Sequence, residues 1–292
     1  MPKLRRILEI AIPIALLATI VLAYFPVLNF YQSESARRAA SLVVGNDQNP
    51  DRVAVAVRVL SIDPQKGDMA LRLELVPQGA WADEGGFLAA RDMILYVNNS
   101  AGSQERTFQK GKPLSPMDVT LSLYDGLPTD YPFDSYLADL QLFMVTSGKE
   151  ADQPQEIIPL VTSLYANLHG YQFETTVEPE GADLGTFVTF KVARAFTTVF
   201  FAVFIMIAMW ALSLCVLSWA LSVLIRKRRI EATLFGWVGA MLFAFPALRN
   251  AVPGAPPIGA LTDFLAFFWA EAIVMISLAI LVYCYLSRPL SK

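Results

Sequence analysis

Four apolar runs interrupt this chain, one before and three after a long polar stretch, and they limit what it can fold into. The first spans residues 7–28 and follows Lys3, Arg5 and Arg6. The second spans 196–225, the third 232–248 and the fourth 264–286. A bilayer core is crossed by about 20 apolar residues in helical form. The second run is longer than that and calls for tilt, and the third is near the lower limit. The first run is too long and too aromatic at its end (AYFPVLNFY) for a cleaved signal peptide. It reads as an uncleaved signal anchor. With 55% hydrophobic and 17% charged residues, the chain is neither a disordered protein nor a free cytosolic domain.

Charge divides along the same boundaries. Residues 32–195 hold 22 of the 26 acids and 13 of the 23 bases, a net of −9. Such a domain repels phosphate backbones, so nucleic acid is excluded as a partner. Short basic stretches orient the spans. Lys3, Arg5, Arg6, the cluster Arg226, Lys227, Arg228 and Arg229, and then Arg288 and Lys292 would lie on one side. Arg37, Arg38, Lys191, Arg194 and Arg249 would lie on the other. This pattern puts both termini in the cytoplasm and residues 32–195 outside, in a multi-pass protein of the cell membrane.

Within 32–195, segments such as VAVAVRVLSI, MALRLELV, MILYV and TFVTFKVAR alternate with period two. Turn signals such as Asp63-Pro64, Asn98-Asn99 and Asp125-Gly126 separate them. Many short strands at that spacing predict an antiparallel β-sandwich. Residues 154–169 read as a short helix or loop. Both cysteines, Cys215 and Cys284, lie in apolar runs, so the domain has no internal disulfide and no thiolate metal site. The fold class is therefore membrane α plus soluble all-β. A signal-anchor helix (1–31) leads into an extracytoplasmic β-sandwich (32–195), and a three-helix membrane region (196–292) follows. The four transmembrane helices fall one before and three after the sandwich.

Two segments carry a family resemblance: DYPFDSYLADLQLFMVTSG and LFGWVGAMLFAFPALRNAVPGAPPIGALTDFLAFFWAE. Together they resemble the domain-of-unknown-function 4436 family of bacterial and fungal membrane proteins. That resemblance implies the same order of spans and domain and no assigned activity. The outer domain is also similar in part to the β-sandwich of pentameric ligand-gated channels. There a loop like Tyr131-Pro132-Phe133-Asp134 faces the membrane, and a base like Lys191 or Arg194 leads into the first channel helix. The chain departs from that family by lacking cysteines around the loop and by having a span before the domain. The resemblance implies a domain–membrane coupling contact of Asp134 with Arg194, or failing that Lys191, beside the loop 249–263.

Glu271 is the acid placed deepest in an apolar run. Asp263 and Phe267 share its face at i, i+4, i+8 spacing, and Arg249 is the nearest base. An intramembrane carboxylate is costly and needs a partner. The trio Glu271, Asp263 and Arg249 reads as a proton or cation site, a contact with another subunit, or a structural polar contact. The loop between Arg249 and Asp263, with Pro253, Pro256 and Pro257, is stiff and needs cover, which the underside of the sandwich would supply. Gly236 and Ala240 form a small-xxx-small pair suited to close helix packing. Asn98-Asn99-Ser100 is a glycosylation sequon.

His169 is the single histidine, and no G-x-S-x-G, P-loop or G-x-G-x-x-G occurs. The sequence therefore predicts no enzyme, no cofactor and no metal. The expected partners are the lipid bilayer and other membrane-protein subunits, with the ligand open. The expected role is an accessory or scaffolding subunit of an envelope or transport assembly. A transporter or channel component using Glu271 is the alternative, and a membrane-anchored enzyme comes third.

Overall fold

The computed structural model describes residues 40–147, 155–178, 185–226 and 232–287, and a few residues between 14 and 32. Of the N-terminal run, Ile14, Ala18 and the residues described from Val21 to Gln32 are helical. The bases at 3, 5, 6, 37, 38, 227–229, 288 and 292, and so most of the orienting charge, lie outside the described residues.

Eleven strands form the first part: β1 (Ala40–Val44), β2 (Val53–Asp63), β3 (Asp68–Pro77), β4 (Met93–Val97), β5 (Glu105–Phe108), β6 (Met117–Ser122), β7 (Ser135–Thr146), β8 (Ile157–Ile158), β9 (Leu160–Ala166), β10 (Tyr171–Val177) and β11 (Thr186–Arg194). One sheet runs β1-β9-β2-β3-β6. The other runs β10-β11-β7-β4-β5, with β8 beside β7. Period-two alternation builds the core between them. Val53, Val55 and Val57 of β2 are buried, as are Leu140, Leu142 and Met144 of β7 and Val188, Phe190 and Val192 of β11. Alternate residues face out.

Three details differ from the sequence reading. Residues 154–169 contain strands β8 and β9, not a helix. The segment IIPLVTSLYA is broken by Pro159, stops short of Gly170 and is rich in β-branched residues, so a strand wins. The sandwich is not wholly antiparallel, because β9 pairs antiparallel with β1 but parallel with β2. Between β2 and β9 the chain passes through β3 to β8, a connection long enough to permit parallel entry. Short strands β1 and β5 carry too few alternating residues to have been read at all.

Inside the core, the Thr162 and Thr186 hydroxyls, one from each sheet, lie 2.6 Å apart and satisfy each other. Both residues are buried. The Asn98 side chain donates to the Asp139 carbonyl and accepts from the Gln141 amide, so the sequon asparagine is tied into the sheet.

Helices follow the sandwich: α1 (Phe196–Arg226), α2 (Ala232–Asn250), a π-helical turn (Asp263–Phe267) and α3 (Phe268–Leu286). Among the described residues, two helices are long and apolar enough to cross a membrane, Phe196–Arg226 and Asp263–Leu286. α2, with 19 residues, is not among them, and it contains Pro246 and Arg249. α1 buries Ala202, Ile205, Met209, Val216, Ala220 and Val223, and α3 buries Ala270, Val274, Ser277, Leu281 and Cys284. These steps of three and four define one seam on each helix, and the two seams form a shared core. Ser213 and Ser277 hydroxyls return to their own helix, donating to the Trp210 and Ile273 carbonyls. Among the described residues Gly236 makes no close helix contact. It is exposed, and a Cβ there would meet nothing within 4 Å.

The Thr162–Thr186 contact predicts a non-additive pair. Thr162→Val leaves the Thr186 hydroxyl buried without a partner, which costs about 1–3 kcal/mol. Thermal unfolding should show that the double valine variant recovers part of that loss.

Candidate functional site

Strand parity places the central residue of the joint between the sandwich and the helices. In β11 the positions of Val188, Phe190 and Val192 point into the core, and the next inward position is Arg194. The guanidinium therefore emerges at the foot of the sandwich, two residues before α1 begins. Lys191 has the opposite parity. It is exposed and pairs across the strand with Glu174 at 3.0 Å.

The opposing acid is Asp134, in the Tyr131–Asp134 loop just before β7. Arg194 Nε lies 3.0 and 2.9 Å from the two Asp134 carboxylate oxygens, and Nη2 lies 2.9 Å from Oδ2. The side chains are 6% and 0% exposed, so this is a buried ion pair. The Tyr136 hydroxyl donates to Asp134 Oδ2 at 2.8 Å. Two phenol rings enclose the guanidinium, Tyr131 at 5.1 Å and Tyr171 at 4.8 Å from ring centre to Cζ. Tyr171 stands directly opposite Arg194 in the β10–β11 register. Burial works against the charge on Arg194, but the hydrogen bonds and field of Asp134 prevail and hold its pKa above the ordinary value. Burial pushes the Tyr131 phenol up to about 12, and burial together with the Asp134 hydrogen bond raises Tyr136.

The helical part meets this cluster through the loop after α2. The Tyr131 hydroxyl donates to the Pro253 carbonyl at 2.8 Å, and Gln65 Nε2 donates to the Ala255 carbonyl at 3.1 Å. Gly254 adopts φ +79°, and a Cβ there would come within 2.7 Å of Arg194 Nη1. Glycine is needed for both reasons. The sandwich thus covers the loop only in part, since Ile258 at its tip remains 87% exposed.

A second ion pair fixes the loop from below. Arg249 Nε and Nη2 each lie 2.9 Å from an Asp263 carboxylate oxygen. Nη2 also reaches the Pro256 and Pro257 carbonyls at 3.1 and 2.8 Å, and the Gly259 amide donates to Asp263. One planar fork therefore ties the end of α2 to the start of the next helix, a geometry lysine cannot copy. At Asp263 the chain makes a π turn, with the Phe268 amide bonded to the Asp263 carbonyl. Such a turn frees carbonyls from the α ladder. The Trp269 indole donates to Phe264 O at 2.8 Å, and the Trp210 indole of α1 donates to Leu265 O at 3.0 Å.

Of the residues singled out by sequence, Tyr131, Pro132, Asp134 and Arg194 converge at the joint, while Phe133 is 60% exposed and Lys191 stands apart. Arg249 and Asp263 pair with each other. Glu271 joins neither, because the Asp263 carboxylate occupies the Arg249 fork and the π turn breaks the simple i, i+4, i+8 face. Glu271 Oε2 is buried with no hydrogen-bond partner among the described residues. His169 is exposed, in the turn before β10. No group of three metal-ligating side chains occurs among the described residues. Tyr136 was within reach of sequence reasoning through its parity two residues after Asp134. Tyr171, Gly254, Trp210 and Trp269 were not, because their roles depend on register and on the π turn.

The fold and joint describe a β-sandwich protein with apolar helices attached. In comparison with protein families, a domain of unknown function (DUF4436) matches residues 43–192, and a second domain of unknown function (DUF8686) matches residues 194–288. The chain belongs to the DUF4436 family. The two matches meet at the joint, so the segment 234–271 falls in the second domain. No curated protein matches the chain.

Asp134→Ala strands the buried guanidinium and should destabilise the protein by about 3–5 kcal/mol, with the Arg194→Ala double variant markedly less than additive. Additivity in thermal unfolding would contradict the pairing. A pH effect follows with a definite sign. The folded Tyr131 pKa, about 12, exceeds the ordinary value of 10.0, so the folded state holds its proton longer. Stability is full below pH 10 and falls as pH rises through 10 toward 12. Alkaline unfolding curves of Tyr131→Phe should be flatter over that range.

Proposed function

We propose that this is a multi-pass membrane protein whose outward β-sandwich serves as a non-enzymatic accessory or scaffolding subunit. Four helices anchor it, one before and three after the sandwich, with both termini cytoplasmic. The sandwich would bind a partner in an envelope or transport assembly. The observation that carries this reading is the joint. A buried ion pair, two enclosing phenols and a glycine-dependent loop contact hold the sandwich at a fixed orientation over the helices. A rigid platform suits presentation of a binding surface, whereas a flexible tether would not preserve one. The four-span topology is supported by the basic stretch beginning at Arg226, at the end of α1.

Purification in mild detergent followed by mass spectrometry should recover a stoichiometric membrane-protein partner, and Asp134→Ala should lower its yield without removing the protein from the membrane. Recovery of the chain alone, under conditions that preserve known complexes, counts against the accessory role. Reporter fusions after Lys292 and at Asn99 should report opposite sides. The same side for both would overturn the topology.

One observation favours a second reading, a transport component. A buried carboxylate oxygen of Glu271 has no hydrogen-bond partner among the described residues, within a helix apolar enough to cross a membrane. Under that reading Glu271→Gln abolishes ion or solute flux in reconstituted vesicles. Under the accessory reading it leaves flux at the lipid background.

A further inference from the structure

Between the foot of the sandwich and the proline loop lies a half-open crevice of about 340 Å³. That lies within the range of small-ligand sites, about 300–1,000 Å³. The turn between β2 and β3 supplies Asp63 and Gln65 on one side, Pro256 and Pro257 line the other, and Arg194 and Tyr171 are also in the lining.

The polar groups here are not all used by the joint. A guanidinium has five N–H donors in a fixed fork. Arg194 directs Nε and Nη2 at Asp134, while Nη1 lies on the Gly254 side. Neither Nη1 nor the Tyr171 phenol has a hydrogen-bond partner among the described residues. Both are donors suited to an anion. The Asp63 carboxylate offers the opposite preference. Its partner is Lys66 at 3.2 Å, a surface pair whose lysine is 74% exposed. Such exposed pairs are weak and exchange readily. The crevice therefore has an anion-accepting part and a cation-accepting part within one small volume. It also sits two residues from the start of an apolar helix, at the level of lipid headgroups under the topology above.

We propose that this crevice binds a phosphoethanolamine group, with its phosphate at Arg194 Nη1 and the Tyr171 hydroxyl and its ammonium at Asp63. The group could be the headgroup of a lipid or a free solute. The proposal rests on the joint holding Arg194 in place, but not on capture of a protein partner, so either can fail without the other.

The full chain in detergent, titrated with free phosphoethanolamine, should show a saturable rise in melting temperature if the solute is the source. In nanodiscs, phosphatidylethanolamine should stabilise the protein over phosphatidylcholine if the lipid is the source, because a quaternary ammonium cannot hydrogen-bond to Asp63. In whichever arm responds, Tyr171→Phe, which keeps the ring beside Arg194, should weaken the apparent affinity about tenfold through the lost hydrogen bond. Asp63→Asn keeps an acceptor for the turn amides and should weaken phosphoethanolamine while leaving the weaker response to inorganic phosphate unchanged. No response in either arm, or equal responses in wild type and both variants, overturns the proposal.

Discussion

The buried pair of Asp134 and Arg194 is the interaction on which the rest of this architecture depends. A charge taken out of water is tolerated only if it is matched closely, and here each member is held by a different device. Arg194 is carried inward by the alternation of β11, and Asp134 is presented by the loop before β7 and oriented by the Tyr136 hydroxyl. The phenol faces of Tyr131 and Tyr171 complete the shell with cation–π contacts. Because Arg194 belongs to the strand that runs directly into α1, fixing the guanidinium fixes the angle at which sandwich and helix meet.

The helical part is built to match. Arg249 and Asp263 close the proline loop into a rigid unit, and that unit presents the Pro253 carbonyl and the Cβ-free face of Gly254 to the joint. The π turn at Asp263 belongs to the same construction. It sits where the Arg249 fork grips the chain, and its freed carbonyls are met by two indoles, one of them from α1. Two ion pairs, one above and one below, thus hold a twelve-residue connector that would otherwise be a stretch of backbone with few internal hydrogen bonds.

Much of this was legible in the sequence, for physical reasons that differ by element. The sandwich was legible because alternation in β2, β3, β7 and β11 is a direct imprint of one buried and one exposed face. The DUF4436 family was legible from the Tyr131–Asp134 segment, whereas the proline loop, given to the same family by resemblance, falls in the second matched domain. The choice between Lys191 and Arg194 was also available in principle, since parity with Val192 separates them. The parallel pairing of β9 was not, because period two is the same for both directions. Nor was the partnership of Arg249: spacing on an ideal helix put Asp263 beside Glu271, and the π turn, which no local residue pattern announces, altered that face.

The central claim is that the ion pair makes the sandwich and the helices one rigid body. The most direct measurement is the distance distribution between spin labels at Lys112, at the far end of the sandwich, and Thr233, in α2, by pulsed electron paramagnetic resonance after Cys215 and Cys284 are replaced. The account predicts a single narrow distribution for the otherwise native protein, and a broad one when Asp134 is changed to Asn. A broad distribution with the pair intact, or an equally narrow one without it, would contradict it.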